Sequence, residues 1–313
     1  MADWLAALGW DEEWAEQWRA LGSPETVGRV ARHDRGWSTV WTADGELRVR
    51  SAGTEVAVGD WVVASIAEER VTHVLERRSA FVRRSARGGT TGHVAGANVD
   101  VAALLHSLTA RPSQRRLERE LVLAFESGAE PVVLLTKADL GKNVDSAVAA
   151  ARMVAPDVTV LAVSSATGQG IDDVIGLAGT GRTVAFLGAS GVGKSTLVNT
   201  LVGRDVQRVG HVRADQKGRH TTTAAELVPL PSGGVLMDTP GLRSLGLWSD
   251  GEGLDRAFAD ISERALHCRF PNCRHDSEPG CAVRGEVDPA RLDAYRRLRA
   301  ELDLLEVELS RRR

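Results

Sequence analysis

Cysteine is scarce in this 313-residue chain, with three in all, at positions 268, 273 and 281. A disulfide framework needs several paired cysteines spread over the fold, so this set argues against one and points instead to an intracellular metal site. Long apolar runs are missing as well, and no stretch is long enough to span a bilayer. The opening residues, "MADWLAALGWDEEWAEQWRALG", lack the basic stretch that begins a secretory leader. The expectation is a cytoplasmic protein without a membrane partner. A cationic excess is also absent. The formal net charge of -3 excludes a generally basic nucleic-acid coat but leaves room for local patches.

What is present is the composition of an ordinary globular protein, 43% hydrophobic and 26% charged, with room for about two to three domains. Pattern changes divide it into a Trp-rich helical extension (residues 1–22), a small barrel (23–90), an α/β domain (91–247) and a metal-bearing helical region (248–313). In the extension, Trp10, Trp14 and Trp18 recur at i, i+4, the mark of one helix with a docked face. The runs "TVGRVARH", "WSTVWTA", "ELRVRSAG", "DWVVAS" and "VTHVLERR" are short, rich in Val, Thr and Trp, and separated by Gly and Asp turns. Five such strands in about sixty-five residues suggest a barrel of the oligonucleotide-binding (OB) type. The segment closes on "RRSAFVRRSAR", five arginines without an acid. Contact with RNA and a solvated strand edge both fit that patch.

Past residue 95 strands and helices alternate. "NVDVAALLHSL", "PVVLLTKADL", "VTVLAVSSATGQG", "RTVAFLG" and "GVLMDTPG" read as buried strands, and "RPSQRRLERELVLAFESG" as an amphipathic helix. Such alternation makes a mainly parallel sheet with its working loops at the strand carboxyl ends. The fourth strand runs into "GASGVGKST", residues Gly188, Ala189, Ser190, Gly191, Val192, Gly193, Lys194, Ser195 and Thr196. Its glycines let successive backbone N–H groups turn inward on phosphate oxygens, and the helix beginning near Lys194 adds its positive end. The Lys194 ammonium would neutralise β/γ-phosphate charge and the Ser195 hydroxyl would ligate Mg2+. Asp238, ending the "VLMD" strand, is the matching acid of that Mg2+ shell, and the Gly241 amide would meet a γ-phosphate.

The base is read by "TKAD", Thr136, Lys137, Ala138 and Asp139, which ends another strand. A carboxylate there offers two acceptors to guanine N1–H and its exocyclic amine, which adenine cannot match, and the Lys137 stem would lie over the purine. In "SSATG", Ser165 and Ala166 would present a backbone N–H to guanine O6. GTP and GDP are therefore the expected ligands. The order is unusual, because the base-reading segments precede the phosphate loop, and "GRHTTT" and "DTPG" follow it. This is a circular permutation, tolerated because the termini of a compact domain lie close together. It also leads the nucleotide-sensing residues, about 204–242, straight into the C-terminal region.

That region carries "HCRFPNCRHDSEPGC". Cys268, Cys273, His275 and Cys281 are three soft thiolates and an imidazole, suited to one closed, tetrahedral structural Zn2+, with the neighbouring His267 as a substitute for the imidazole. Asp288 would cap a last helix whose apolar stripe runs through Leu292, Tyr295, Leu298, Leu302, Leu305 and Leu309.

The barrel, the permuted TKAD/SSA/GASGVGKS/GRHTTT/DTPG order and the Cys-x4-Cys-x-His-x5-Cys cluster together resemble the circularly permuted GTPases of bacterial small-ribosomal-subunit biogenesis, the RsgA or YjeQ family. The likeness covers about residues 24–310. It implies a multidomain α/β protein: an N-terminal OB-type barrel, a central permuted P-loop GTPase and a C-terminal zinc-binding α-helical domain. It further implies a monomer that acts on the 30S subunit and its 16S rRNA late in maturation, where GTP favours association, hydrolysis permits release, and an assembly factor is dislodged. Thr136 departs from the asparagine of many members, whose amide braces the phosphate loop. Leu242 follows DTPG where signalling GTPases carry a water-orienting glutamine, so slow intrinsic turnover is expected, stimulated by 30S subunits. His220 is the candidate catalytic residue beside Lys194, an imidazole next to the switch threonines, and the resemblance points to it as well. Thr222 or Thr223 would complete the Mg2+ shell. Arg204, Arg208, Arg213, Lys217 and Arg219 around them form a second basic patch. Two other readings remain open at this level: a switch acting on a protein partner, and a nucleotide-binding module that does not hydrolyse.

Overall fold

The computed structural model of the chain describes residues 2–22, 25–84, 92–203, 225–230, 233–238 and 251–310. It opens with two short helices, α1 (Ala2–Ala7) and α2 (Glu12–Ala20), where the tryptophan spacing predicts one. The break falls at Gly9. Its φ of 95° is left-handed, and an added Cβ would sit 2.7 Å from the Gly181 carbonyl oxygen, so glycine alone suits both the turn and the close approach. The Asp11 carboxylate then restarts the helix by accepting from the Trp14 N–H at 3.2 Å. Trp10 thus sits in the link. It and the buried Trp14 both pack on Trp61, with ring centroids 4.8 and 6.3 Å away.

The five predicted runs form β1 (Thr26–Asp34), β2 (Trp37–Thr42), β3 (Gly45–Arg50), β4 (Trp61–Ser65) and β5 (Arg70–Val74). β1 pairs antiparallel with both β2 and β4, β3 meets β5 in parallel, and β4 pairs with β5. The circuit 1-2-3-5-4 closes on itself, as in an OB barrel. β1 can serve two partners because a bulge between Val30 and Arg32 bends it. Inward valines at 30, 40, 49, 62 and 71 fill the barrel.

A separate hairpin, β6 (Ala80–Arg84) with β7 (Gly92–Ala97), leads out of the barrel, and the expected 90/91 boundary falls between its strands. Two arginines of the first basic patch prove to be internal ties. Arg77 pairs at 2.7 Å with Asp60, which is fully buried. Arg78 pairs with Asp11 and Glu13, each at 2.6 Å, and lies 4.4 Å from the Trp14 ring centroid. Arg77 therefore ties the barrel internally, and Arg78 ties the extension to it. Residues 85–87 of the patch lie outside the described residues.

The α/β region comprises β8 (Val101–Ser107), α3 (Gln114–Glu126), β9 (Glu130–Thr136), α4 (Val144–Val154), β10 (Thr159–Val163), α5 (Ile171–Leu177), β11 (Thr183–Gly188), α6 (Lys194–Val202), β12 (Glu226–Pro229) and β13 (Val235–Asp238). Its strand order is β10-β9-β8-β11-β13-β12, parallel except for β12. β8, β9 and β11 are buried almost throughout because both sheet faces are covered. Leu117 and Leu121 of α3 pack on one face with Leu104 and Leu135. Ile171 of α5 and Leu197 of α6 cover the other, with Leu105 and Leu134. β12 also touches β1, where Arg32 stands opposite Glu226 and pairs with it at 2.6 Å, so barrel and α/β strands make one eleven-stranded sheet.

Three further helices follow, α7 (Glu252–Ala257), α8 (Ala259–Ala265) and α9 (Pro289–Ser310). Asp288 caps α9 by accepting from the Arg291 N–H at 3.0 Å. Leu292, Tyr295, Leu298, Leu302 and Leu305 of its stripe are buried; the Leu309 side chain lies outside the described residues.

Candidate functional site

A parallel sheet delivers all its strand ends to one edge, so β9, β10, β11 and β13 bring the chemically marked segments together irrespective of their order in the chain. β11 stops at Gly188. A Cβ there would meet the Leu105 carbonyl oxygen of β8 at 2.7 Å, which requires glycine. Ala189, Ser190, Gly191 and Val192 make the loop, and Gly193, left-handed at φ 104°, turns it into α6 at Lys194. Ser190, Gly191, Ser195 and Thr196 are exposed, and Val192 is buried beneath them. The Lys194 ammonium donates to the carbonyl oxygens of Gly188 at 2.6 Å and Ala189 at 2.7 Å, so it is folded over the loop's concave face. Asp238 ends β13, the strand beside β11.

The segments predicted to read the base touch this loop directly. The buried Thr136 hydroxyl donates to the Val192 carbonyl at 2.5 Å and reaches the His106 carbonyl at 3.4 Å. A hydroxyl thus supplies the brace to the phosphate loop that an asparagine amide makes elsewhere. Lys137 is left-handed at φ 57°, which aims its side chain back so that Nζ donates to the Gly191 carbonyl at 2.8 Å. Ala138 is buried and Asp139 exposed. Ser164, which the sequence reading passes over, donates its hydroxyl to Asp139 Oδ1 at 2.5 Å and accepts from the Thr167 N–H at 3.2 Å. It is fully buried and holds Asp139 against the turn that carries Ser165 and Ala166. The doubled serine at the end of β10 is the only sequence signal for it. His220, Thr222, Thr223 and Gly241, with Leu242 and the second basic patch, lie outside the described residues.

Far along the chain, the ligand atoms of Cys268, Cys273, His275 and Cys281 lie within 4.8 Å of one another. His275 Nδ1 is 3.6 Å from Cys268 Sγ and 3.5 Å from Cys281 Sγ. A tetrahedral Zn2+ with ordinary Zn–S and Zn–N bonds has an S···N edge of about 3.5 Å, so this donor set fits zinc. The Ala282 and Arg284 N–H groups each point at a thiol, Cys268 and Cys281 respectively, at 3.3 Å, as suits sulfur carrying negative charge. Burial, with the adjoining Cys281 and Cys268 thiols adding to it, pushes the Cys273 thiol up to about 11. Clustered thiolates repel, and a cation relieves that. Glu278 pins the intervening loop by accepting from the N–H groups of Arg274, Asp276 and Ser277 at 2.9, 2.8 and 3.1 Å.

Comparison with known proteins agrees with this arrangement. The profile of the RsgA GTPase family matches residues 74–248. The small ribosomal subunit biogenesis GTPase RsgA of Streptomyces coelicolor is 44% identical over 319 aligned positions, covering 95% of this chain and 86% of the relative. Among solved structures, YjeQ from Thermotoga maritima superimposes with a TM-score of 0.65 at 25% identity, over 90% of this chain and 99% of the other. YloQ, described as a circularly permuted GTPase, does so with a TM-score of 0.65 at 26% identity, over 89% and 96%.

Proposed function

The chain belongs to the RsgA GTPase family, and from that premise we propose that it is a GTP-hydrolysing factor that docks on the 30S subunit late in its maturation and leaves once GTP is spent. Asp139, held by Ser164, reads guanine with help from the Ser165–Ala166 turn, and the Lys137 stem covers the base. Lys194 and the loop amides of residues 188–193 take the phosphates. Ser195, Asp238 and Thr222 or Thr223 hold Mg2+, Gly241 meets the γ-phosphate, and His220 orients the attacking water that Leu242 cannot. Turnover is accordingly slow until the subunit stimulates it.

The observation that carries this reading is the pair of cross-ties, Thr136 to Val192 and Ser164 to Asp139. They unite, at one sheet edge, segments that the permutation scatters through the sequence. Support for rRNA contact comes from the barrel. The guanidinium groups of Arg48 and Arg50 lie 5.3 and 5.4 Å from the Trp37 ring centroid, and both arginines are exposed. An aromatic close to two cations on an OB-type barrel suits a stacked base and its phosphates. The Cys3His cluster serves as a structural zinc site, with no open ligand position for catalysis. Among the described residues no helix is long and apolar enough to cross a membrane.

The test is GTP hydrolysis by the purified protein, alone and with isolated 30S subunits, with ATP as the control. A low basal rate that rises with 30S and is absent for ATP supports the reading. A rate indifferent to 30S, with GTP still bound, shifts the function to a switch on a protein partner.

A further inference from the structure

One large cavity among the described residues contains none of the proposed nucleotide-site residues. It opens between α3 and α4, has a volume of about 690 Å3, and is walled by Leu117, Leu135, Leu140, Ala147 and Val154. A void of this size and lining suits a small organic ligand.

Its rim has one sign of charge. Both flanking helices begin there, α3 after Ser113 and α4 after Asn143. α3 has no acid in its first turn, and the Ser113 hydroxyl makes no capping bond, so the positive end of that helix is uncompensated. Arg111 and Lys142 also line the opening, and neither makes an ion pair among the described residues. The acids behind the wall are already engaged. Glu120 accepts from Arg116 at 2.7 Å, and Glu118 accepts from Gln114 at 2.8 Å with Arg297 3.7 Å away.

A second observation is independent of the rim. His106 lies in the cavity wall and is 4% exposed. Its Nε2 stands 2.9 Å from Glu120 Oε2, yet the two are misaligned, and neither atom completes a hydrogen bond. His106 therefore puts a buried polar group in the cavity wall, one that already faces Glu120.

We propose that this cavity is a second ligand site, for a small amphipathic anion whose apolar body fills the groove and whose single acidic group meets Arg111, Lys142 and the N-terminus of α3. Its position gives it leverage. Residues 140–143 of its wall directly follow Asp139, and the His106 carbonyl receives the same Thr136 hydroxyl that braces Val192. An occupant therefore grips the base-reading loop from behind and slows GDP release. This coupling rests on the nucleotide site proposed above; the binding itself does not.

The probe is 8-anilinonaphthalene-1-sulfonate, titrated by fluorescence into the full chain with GDP present. One saturable site is expected. Its affinity should fall about tenfold or more when Arg111→Glu and Lys142→Glu are combined, and by a similar factor for the uncharged N-phenyl-1-naphthylamine. Ala147→Trp, which fills the groove, should abolish it, with circular dichroism and melting reporting whether that variant folds. The charge-reversed variant alters only exposed side chains and keeps the test open if the tryptophan variant fails. Unchanged affinity in the charge-reversed chain, or equal affinity for the neutral dye, overturns the proposal. Release of radiolabelled GDP, followed by filter binding, should slow when the probe is bound, and an unchanged rate removes the coupling. Probe binding in a chain that fails to bind GDP would sink the nucleotide reading alone. GDP binding without the probe would sink this one alone.

Discussion

Thr136→Val removes one hydroxyl while keeping the β-branched shape that a strand end prefers. In the native chain that hydroxyl donates to Val192 at 2.5 Å from a site 5% exposed. Water cannot readily replace it there, so the Val192 carbonyl is left short of a partner, at a cost of about 1–3 kcal/mol. The bond exists in the nucleotide-free chain, so most of this cost falls on folding stability. Only the part spent on keeping the phosphate loop in its binding shape reaches the affinity, so the expected loss of GDP affinity is about half the upper figure, roughly tenfold or ~1.4 kcal/mol. Thr136→Asn restores the amide and should bind at least as well as the native chain. Titration with a fluorescent GDP analogue, alongside melting curves with and without nucleotide, separates the two effects. A Val variant that matches the native chain in both would refute the idea that this hydroxyl braces the loop.

Ser164→Ala should loosen Asp139 and reduce GTP affinity by about tenfold, since hydrogen bonds to a charged group contribute about 1.5–3 kcal/mol. Competition by inosine triphosphate should then improve relative to GTP, and an unchanged GTP/ITP ratio would speak against a positioning role. Arg29 is a fully buried cation that donates to the carbonyls of Gly59 at 3.2 Å and Asn98 at 2.8 Å, and also to Leu8; burial, opposed by Asp100 and Asp60, pulls its pKa down to about 10. Arg29→Met strands those carbonyls and should cost about 3–5 kcal/mol, seen by calorimetry as an earlier transition of the barrel. Glu278→Gln should make the protein yield zinc to a chelator about 10–100-fold more readily. Backbone N–H groups, that of Arg274 foremost, hold the Glu278 pKa down to about 2, so the clamp is complete above the usual carboxylate range and loosens only as pH falls through about 2. Zinc loss at mildly acid pH must then follow protonation of the ligands themselves. His220→Ala should lower 30S-stimulated turnover while GTP binding persists; full stimulation would remove His220 from the mechanism.

The barrel was legible because its five runs are short, rich in Val, Thr and Trp, and separated by Gly and Asp turns, signals that need no knowledge of partners. The parallel strands announced themselves as unbroken apolar blocks, which only a doubly covered sheet requires. Other features depended on distance. The i, i+4 tryptophans are compatible with a continuous helix and equally with a turn at Gly9, and only the carbonyl of Gly181 decides between them. The arginines at 77 and 78 look like a free basic patch because their acids stand 17 and 67 residues away. Thr136 reads as the loss of an amide, since no sequence says that a shorter hydroxyl reaches the same carbonyl. Ser164 hides beside Ser165, where only the fold shows which hydroxyl turns inward.

β12 was invisible for a related reason, and it is the element that connects the rest. Four residues ending in proline carry no periodicity, and their strand identity comes from β13 on one side and β1 on the other. β12 begins at Glu226, and Gly203 closes α6, so the stretch that carries the predicted switch threonines runs from the helix expected to bind phosphate to a strand shared with the barrel. The permutation alone predicts that this segment feeds the C-terminal region. The strand pairing adds a second output, because any displacement of β12 acts on Arg32 through its 2.6 Å contact with Glu226. Arg32 lies on β1 next to the bulge that lets that strand serve both sides of the barrel. The nucleotide state and the barrel's exposed Arg48–Trp37–Arg50 face are therefore joined by backbone pairing from β12 through β1 and β2 to β3. If the proposed GTPase cycle holds, this connection would give a GTP-dependent change of subunit affinity a direct mechanical route.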